Sequence, residues 1–516
     1  MAPNIQRSDL NYEMNVFLLS DFLKRSASDY PDKAALHFGD DSYSYGRIYR
    51  YSRNFAGFMA KRGLKKGDRV ITYLENNPET VISIFGTLLA GGAFSVVNQT
   101  IKSNKFLYIL KNCSPEFIVT DSTKTEMLEK LKTQIDLPPI ITIDDNPGWA
   151  LQFQDIMNED SELPNLRIID LDLAAIIYTS GSTGDPKGVT LSHRNMVTAA
   201  RSITQYLENV TSDIILDVLP LSFDYGLYQV LTAFLFSGTV VLEKKFGYPF
   251  KLVKLIQSKQ VTGLPCVPTM MAIFLQMEGL EKKDLSSVRY ISNTGAALPP
   301  SYIPRLKKIF PNAKIYSMYG LTECKRVAYL SPAMIDKKPD SVGIAMPNTE
   351  VYVVDERGDF KERDATGELV VRGSNVMRCY WNDPEGTAKV LKPGRYPWEQ
   401  VLYTGDLFRI DEGGYLYFRG RLDDIIKCRG ERVSPKEIEN VLYELKDIIA
   451  VRVTPVPDEI MGNAIKAEVV RKQGSDISID EILRHCRENL EDLMIPRYIE
   501  IVEKLPQSES GKILKK

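Results

Sequence analysis

From Tyr178 the chain runs Thr179, Ser180, Gly181, Ser182, Thr183, Gly184, Asp185, Pro186, Lys187, Gly188. Glycines that free backbone N–H groups, interleaved hydroxyls and a mobile ammonium are what a loop needs to wrap phosphate oxygens. The apolar run Leu-Ala-Ala-Ile-Ile-Tyr-Thr at 173–179 reads as a strand leading into it, so the loop is held on a sheet rather than strung between domains. Its spacing is neither GxxxxGK[ST] nor GxGxxG, which excludes a Walker loop and a dinucleotide turn. A second group, Tyr319-Gly320-Leu321-Thr322-Glu323, follows the strand-like segment Ala-Lys-Ile-Tyr-Ser-Met. There a glycine turn brings Thr322 toward a phosphate, and Glu323 offers a hard oxygen to Mg²⁺.

Other chemistries have little to build on. Only His37, His193 and His485 are present, none beside a GxSxG elbow, and the six cysteines form no CxxC pair. A Ser-His-Asp hydrolase, a zinc site and a disulfide framework are therefore not expected, and a reducing, cytoplasmic setting fits. Lys+Arg 65 against Asp+Glu 67 leaves a net charge of -2, no footprint for nucleic acid or an anionic membrane.

The elements that must position these groups read as α/β. Apolar helical patterns alternate with short β-branched strands up to about residue 420, the signature of βαβ units. The N-terminal Asn-Val-Phe-Leu-Leu-Ser-Asp-Phe-Leu segment reads as an ordinary amphipathic helix, since Asp21 interrupts its apolar run. Val81 to Val97 is too short for a bilayer and is broken at Gly91-Gly92, giving helix, turn and buried strand; no integral membrane association is expected. Residues 145–167, acidic and proline-flanked, read as a surface excursion. Two helices are signalled beyond Gly420: Ser434 as N-cap with Pro435 and Glu437, and Ser478 with Glu481. The 516 residues are thus expected to form a large multi-lobed α/β domain over 1–420 and a small α+β domain over 421–516.

The ordered motifs at 178–189, 223–229, 293–299, 319–324, 367–373, 403–407, 420–439 and 506–516 resemble those of the adenylate-forming superfamily. That superfamily includes acyl-CoA synthetases, luciferases and nonribosomal peptide adenylation domains. The resemblance implies an ATP- and Mg²⁺-dependent, AMP-forming ligase that adenylates a small carboxylic acid and passes it to a thiol. It makes Lys187, Thr322, Glu323 and Lys512 the catalytic set, with Glu323 on the metal and Lys512 on the α-phosphate. It assigns Thr179–Gly184 to phosphates, Gly295, Ala296 and Ala297 to the adenine wall, and Tyr319, Gly320, Asp406, Arg421 and Arg432 to the nucleotide. Asp423 becomes the hinge between a fixed and a swinging domain, and Lys427 and Gly430 border a phosphopantetheine tunnel.

The acid pocket carried across by the same resemblance is Asp224, Tyr225, Tyr228, Pro265, Ser292, Thr294, Met318, Arg326 and Val327, closed by Lys512. A buried Asp224 is costly unless neutralised, so the leading expectation is a substrate α-ammonium: a small amino acid such as proline, delivered to a separate acyl or peptidyl carrier protein. Arg326 is unusual in such a pocket. Were it to pair with Asp224, the pocket would suit a simple acyl group, and the alternative is an acyl-CoA synthetase using CoA.

Overall fold

The computed structural model describes residues 16–145, 147–179, 185–422, 426–428, 431–458, 462–490, 494–507 and 513–514, with only the backbone at 427–428, 431–432 and 462. The chain divides into two compact units, each assembled from separated segments. The first takes the chain to Gly247 and recovers Thr322–Arg326 and Gly373–Lys389; the second takes Tyr248–Leu321, Val327–Arg372 and Val390 onward.

The first unit carries the expected βαβ repeats. Its eight-stranded sheet runs from edge to edge as Cys379–Tyr380, Lys187–Ser192, Leu173–Thr179, Ala93–Val96, Arg69–Tyr73, Phe117–Thr120, Ile140–Thr142 and Leu151–Gln152. Pairing is parallel from Leu173–Thr179 to Leu151–Gln152, and antiparallel at the other two ladders. Ala93–Val96 is buried at every residue, the reason it reads as a run without charge. The helix before it, Pro78–Leu89, starts where the Asn77 side chain accepts the Thr80 N–H at 2.7 Å, and Gly91 turns the chain at φ +77°. Four more strands, Ile214–Asp217, Thr239–Leu242, Ala34–Phe38 and Asp41–Ser44, pair in that order beneath the fully buried helix Asp224–Leu235.

The N-terminal helix is Leu19–Asp29, with Leu19, Phe22, Leu23 and Ser26 buried. Asp21, which breaks the apolar run in sequence, accepts the N–H groups of Leu18 (2.9 Å) and Phe17 (3.1 Å) at its start. The 145–167 stretch is more than a surface excursion: Leu151–Gln152 extends the sheet and helix Phe153–Asn158 buries Phe153, Ile156 and Met157. Three apolar residues spaced by three and one outweigh the acidic ones between them.

In the second unit Gly263–Cys266, Tyr290–Asn293 and Lys314–Tyr319 pair in parallel, followed by antiparallel Ala328–Leu330 and Ile344–Ala345. A further antiparallel sheet pairs Gln400–Ile410 with Ala365–Gly373, Leu391–Pro393 and Leu416–Arg421. From Ile426 the chain builds its own core of Ile426, Val433, Ile438, Leu442, Val451, Ile465, Val469 and Ile482, inside a three-stranded sheet and helices Pro435–Tyr443 and Ile479–Asn489. Ser478 and Glu481 form the expected capping box. Ser434 does not cap: its hydroxyl donates to the Arg419 carbonyl, and Glu437 pairs with the Arg419 guanidinium.

Candidate active site

The glycine-rich run is the connection of a β-hairpin. Leu173–Thr179 enters it and Lys187–Ser192 leaves it, with Thr179 opposite Lys187 and Tyr178 opposite Gly188. Ser180, Gly181, Ser182, Thr183 and Gly184 lie outside the described residues. The Lys187 ammonium sits 4.9 Å from the centroid of the Tyr380 ring, and the Tyr380 hydroxyl donates to Glu323 at 2.6 Å. One aromatic side chain thus lies between the Lys187 ammonium and the Glu323 carboxylate. Tyr380 is fixed because Cys379–Tyr380 adds to Lys187–Ser192, with Tyr380 opposite Val189.

Two buried amides hold the neighbouring backbone. Asn195 donates to the carbonyls of Ser374 (2.8 Å) and Val376 (2.7 Å), and Asn375 donates to those of Cys324 (2.8 Å) and Arg326 (2.9 Å). The Met377 N–H adds a bond to the Glu323 carbonyl at 2.7 Å. Within this pinned segment the Arg326 N–H bonds the Cys324 carbonyl (2.7 Å) across Lys325, whose φ is +61°. That is a tight three-residue turn in left-handed conformation, uncommon for a non-glycine residue and typical of functional sites.

The turn sends Lys325 and Arg326 into the interior. Lys325 is 4% exposed and its ammonium lies 3.6 Å from the Asp224 carboxylate, itself 8% exposed; it also donates to the Asp224 carbonyl at 2.8 Å. Tyr228 and Tyr225 flank it, with ring centroids at 4.5 and 5.3 Å. Burial pulls Lys325 down to about 7, Asp224 opposes this and the Arg326 charge adds to it. Burial also raises the nearby Asp217 carboxyl well above the usual carboxylate range, with the Leu219 N–H and Lys325 pulling the other way. The Arg326 guanidinium lies 5.4 Å from the centroid of Tyr225.

Two expectations are corrected here. The Asp224 carboxylate already has a cation within the protein, and among the described residues its ionic partner is Lys325 rather than Arg326. Lys325, Tyr380, Asn195 and Asn375 were not singled out from sequence. Two adjacent cations before the apolar Val327–Leu330, with acids at Asp217 and Asp224 on apolar segments, are the available signal for the first.

The second unit holds the other expected residues. Asp406 and Arg421 face each other across the Gln400–Ile410 and Leu416–Arg421 ladder, 3.2 Å apart, and the Tyr319 hydroxyl donates to Asp406 at 2.5 Å. Gly405 turns at φ +71° just before Asp406. Pro265 lies beside Ser292 on parallel strands; Thr294, Met318 and Val327 are buried, and Gly295 turns at φ +83° ahead of exposed Ala296 and half-buried Ala297. Gly320 is half-buried, as is Thr322 of the first unit. Lys427 and Arg432 are cross-strand partners, whereas Asp423, Gly430 and Lys512 lie outside the described residues.

His193 is buried and held at about 4 by that burial, and its Nδ1 accepts the Leu19 N–H at 3.1 Å, a contact of the fold and not of the site. Among the described residues no group of three or more His, Cys, Asp or Glu is placed to hold a metal, and no helix is long and apolar enough to cross a membrane.

The AMP-binding enzyme family matches residues 23–381, and the AMP-binding enzyme C-terminal domain matches 437–512. The chain is 31% identical to a long-chain-fatty-acid–CoA ligase of Bacillus subtilis (strain 168), over 96% of this chain and 93% of that protein. It is 32% identical to 4-coumarate–CoA ligase 3 of Arabidopsis thaliana, over 95% and 88%. Among solved structures, ATP-bound MatB from Rhodopseudomonas palustris matches with a TM-score of 0.87 at 27% identity, covering 96% of this chain and 97% of that one.

Proposed function

The chain belongs to the AMP-binding enzyme family of ATP-dependent, AMP-forming ligases, and from that premise we propose that it adenylates a carboxylic acid lacking an α-ammonium and transfers the acyl group to coenzyme A. The observation that carries this reading is the Asp224–Lys325 pair. An amino-acid substrate needs an open carboxylate for its ammonium, and here an internal cation takes that place. The two CoA-ligase relatives support CoA over the carrier protein expected first.

In the first half-reaction a substrate carboxylate oxygen bonds to the α-phosphorus of ATP as the bond to pyrophosphate breaks. Carboxylates are ionised at neutral pH, so no general base is required, and the protein contributes positioning and charge. Lys187 and the 179–187 hairpin take the phosphate oxygens, and Thr322 adds a hydroxyl. Glu323, held by Tyr380, fits Mg²⁺ as the single hard carboxylate such an ion needs when phosphates and water supply its other ligands. Bound there, the ion would neutralise charge on the departing pyrophosphate. Asp406 and Arg421 take the ribose, Gly295–Ala297 the base, and Lys512 the α-phosphate. In the second half-reaction the CoA sulfur bonds to the acyl carbon, and AMP leaves. We assign the two half-reactions to two orientations of 421–516 against 1–420, hinged at Asp423, with Lys427 and Gly430 beside the thiol.

Incubating the protein with ATP, Mg²⁺, CoA and a panel of acids tests this by AMP release and by mass of the CoA thioester. A thioester with an acid lacking an amino group is expected. Pyrophosphate exchange with proline or another amino acid, without any CoA thioester, would restore the carrier-protein reading.

A further inference from the structure

Arg326 is 1% exposed, and two of its guanidinium nitrogens, Nε and Nη1, are buried without a hydrogen-bond partner among the described residues. One N–H on Nε and two on Nη1 leave three of the five guanidinium donors unmet. Arginine cannot shed its proton to relieve this. The Tyr225 face offers a cation–π contact but no acceptor. Asp224, the carboxylate beside it, is taken by Lys325, and Asp217 is raised by its burial toward the neutral form. The Arg326 guanidinium is thus buried without an anionic partner of its own among the described residues.

The side of the turn on which the anion is missing identifies its source. Glu323 meets Tyr380, whose ring lies beside Lys187, on the side read as phosphate-binding. Past the turn at Lys325, Arg326 lies instead among Tyr225, Lys325 and Asp224 at the head of the buried helix Asp224–Leu235. An anion arriving there belongs to the acid and not to the nucleotide. Resting on the reading of the chain as a CoA ligase, we propose that the substrate is a dicarboxylic acid, activated at one carboxylate and held at the other by Arg326. Charge-assisted N–H···O bonds to that second carboxylate satisfy the unmet donors and neutralise the guanidinium. An uncharged tail would leave Arg326 desolvated and unpaired, so the same residue rejects simple fatty acids.

The test uses matched pairs, succinate with butyrate and glutarate with valerate, in ATP–pyrophosphate exchange, which reads adenylation without any thiol. The wild type should prefer the dicarboxylate of a pair by on the order of 100-fold in kcat/KM. Arg326→Met should collapse that ratio mainly through the KM of the dicarboxylate, with Arg326→Lys keeping part of it. A wild type that favours the monocarboxylates overturns the proposal whether or not the variants fold, as does an Arg326→Met enzyme of undiminished selectivity. Dicarboxylate-dependent exchange with no CoA thioester would instead sink the CoA reading and leave this one standing.

Discussion

Removing one member of the Asp224–Lys325 pair strands the other charge in the interior, at a cost of about 3–5 kcal/mol. Asp224→Asn and Lys325→Met should each lower the urea midpoint accordingly, and the double substitution should lose less than the sum by at least ~1 kcal/mol. Strictly additive losses would mean that the two groups do not stabilise one another. Sequence alone identified Asp224 and Arg326 but not Lys325. A lysine following Glu-Cys reads as a solvated charge, and its partner lies 101 residues away. What turns it inward is the left-handed backbone at Lys325, which no residue type announces. The same limit explains the first expectation for the substrate: the demand of Asp224 for a cation was legible, the cation that meets it was not.

At the scale of elements, local chemistry was legible and its distant competitors were not. Ser434 and Ser478 both carry glutamate three residues on, yet only Ser478 caps, because Arg419 on another strand claims Ser434 and Glu437. Likewise the strand into the phosphate run was readable, whereas the pairing of Cys379–Tyr380 that brings Tyr380 to Glu323 was not. Helix Leu19–Asp29 is tied to helix His193–Tyr206 through His193, and that tie makes a pH prediction. Burial, opposed by Asp172 and Asp170, holds His193 at about 4 instead of 6.5. Between those values the unfolded chain binds the extra proton, so stability falls on acidification by at most ~1.4 kcal/mol per pH unit, and the contribution is complete above 6.5. His193→Asn, which retains an acceptor for the Leu19 N–H, should remove this slope from denaturant titrations between pH 6.5 and 4. An unchanged slope would place the proton uptake elsewhere.

For the whole molecule, the assignment of two half-reactions to two orientations of 421–516 rests on Lys512. Lys512→Ala should lower ATP–pyrophosphate exchange by more than 100-fold, while thioester formation from supplied acyl-adenylate stays within a few-fold of wild type. Equal losses in both assays would remove the swinging-domain assignment. The α/β class and the helices Pro435–Tyr443 and Ile479–Asn489 were legible because periodicity reports local burial. The weave of the two units was not, since Thr322–Arg326 and Gly373–Lys389 return to the first unit after long departures. That weave bears on how the chain is made. Cys379 pairs with Thr190, so the ribosome delivers the closing strand 189 residues after the strand it covers, roughly 10–40 s later at about 5–20 residues per second. Throughout that interval Lys187–Ser192 is an open sheet edge, ready to accept a strand from another nascent chain. Expression yield should thus depend on what shelters this edge during translation.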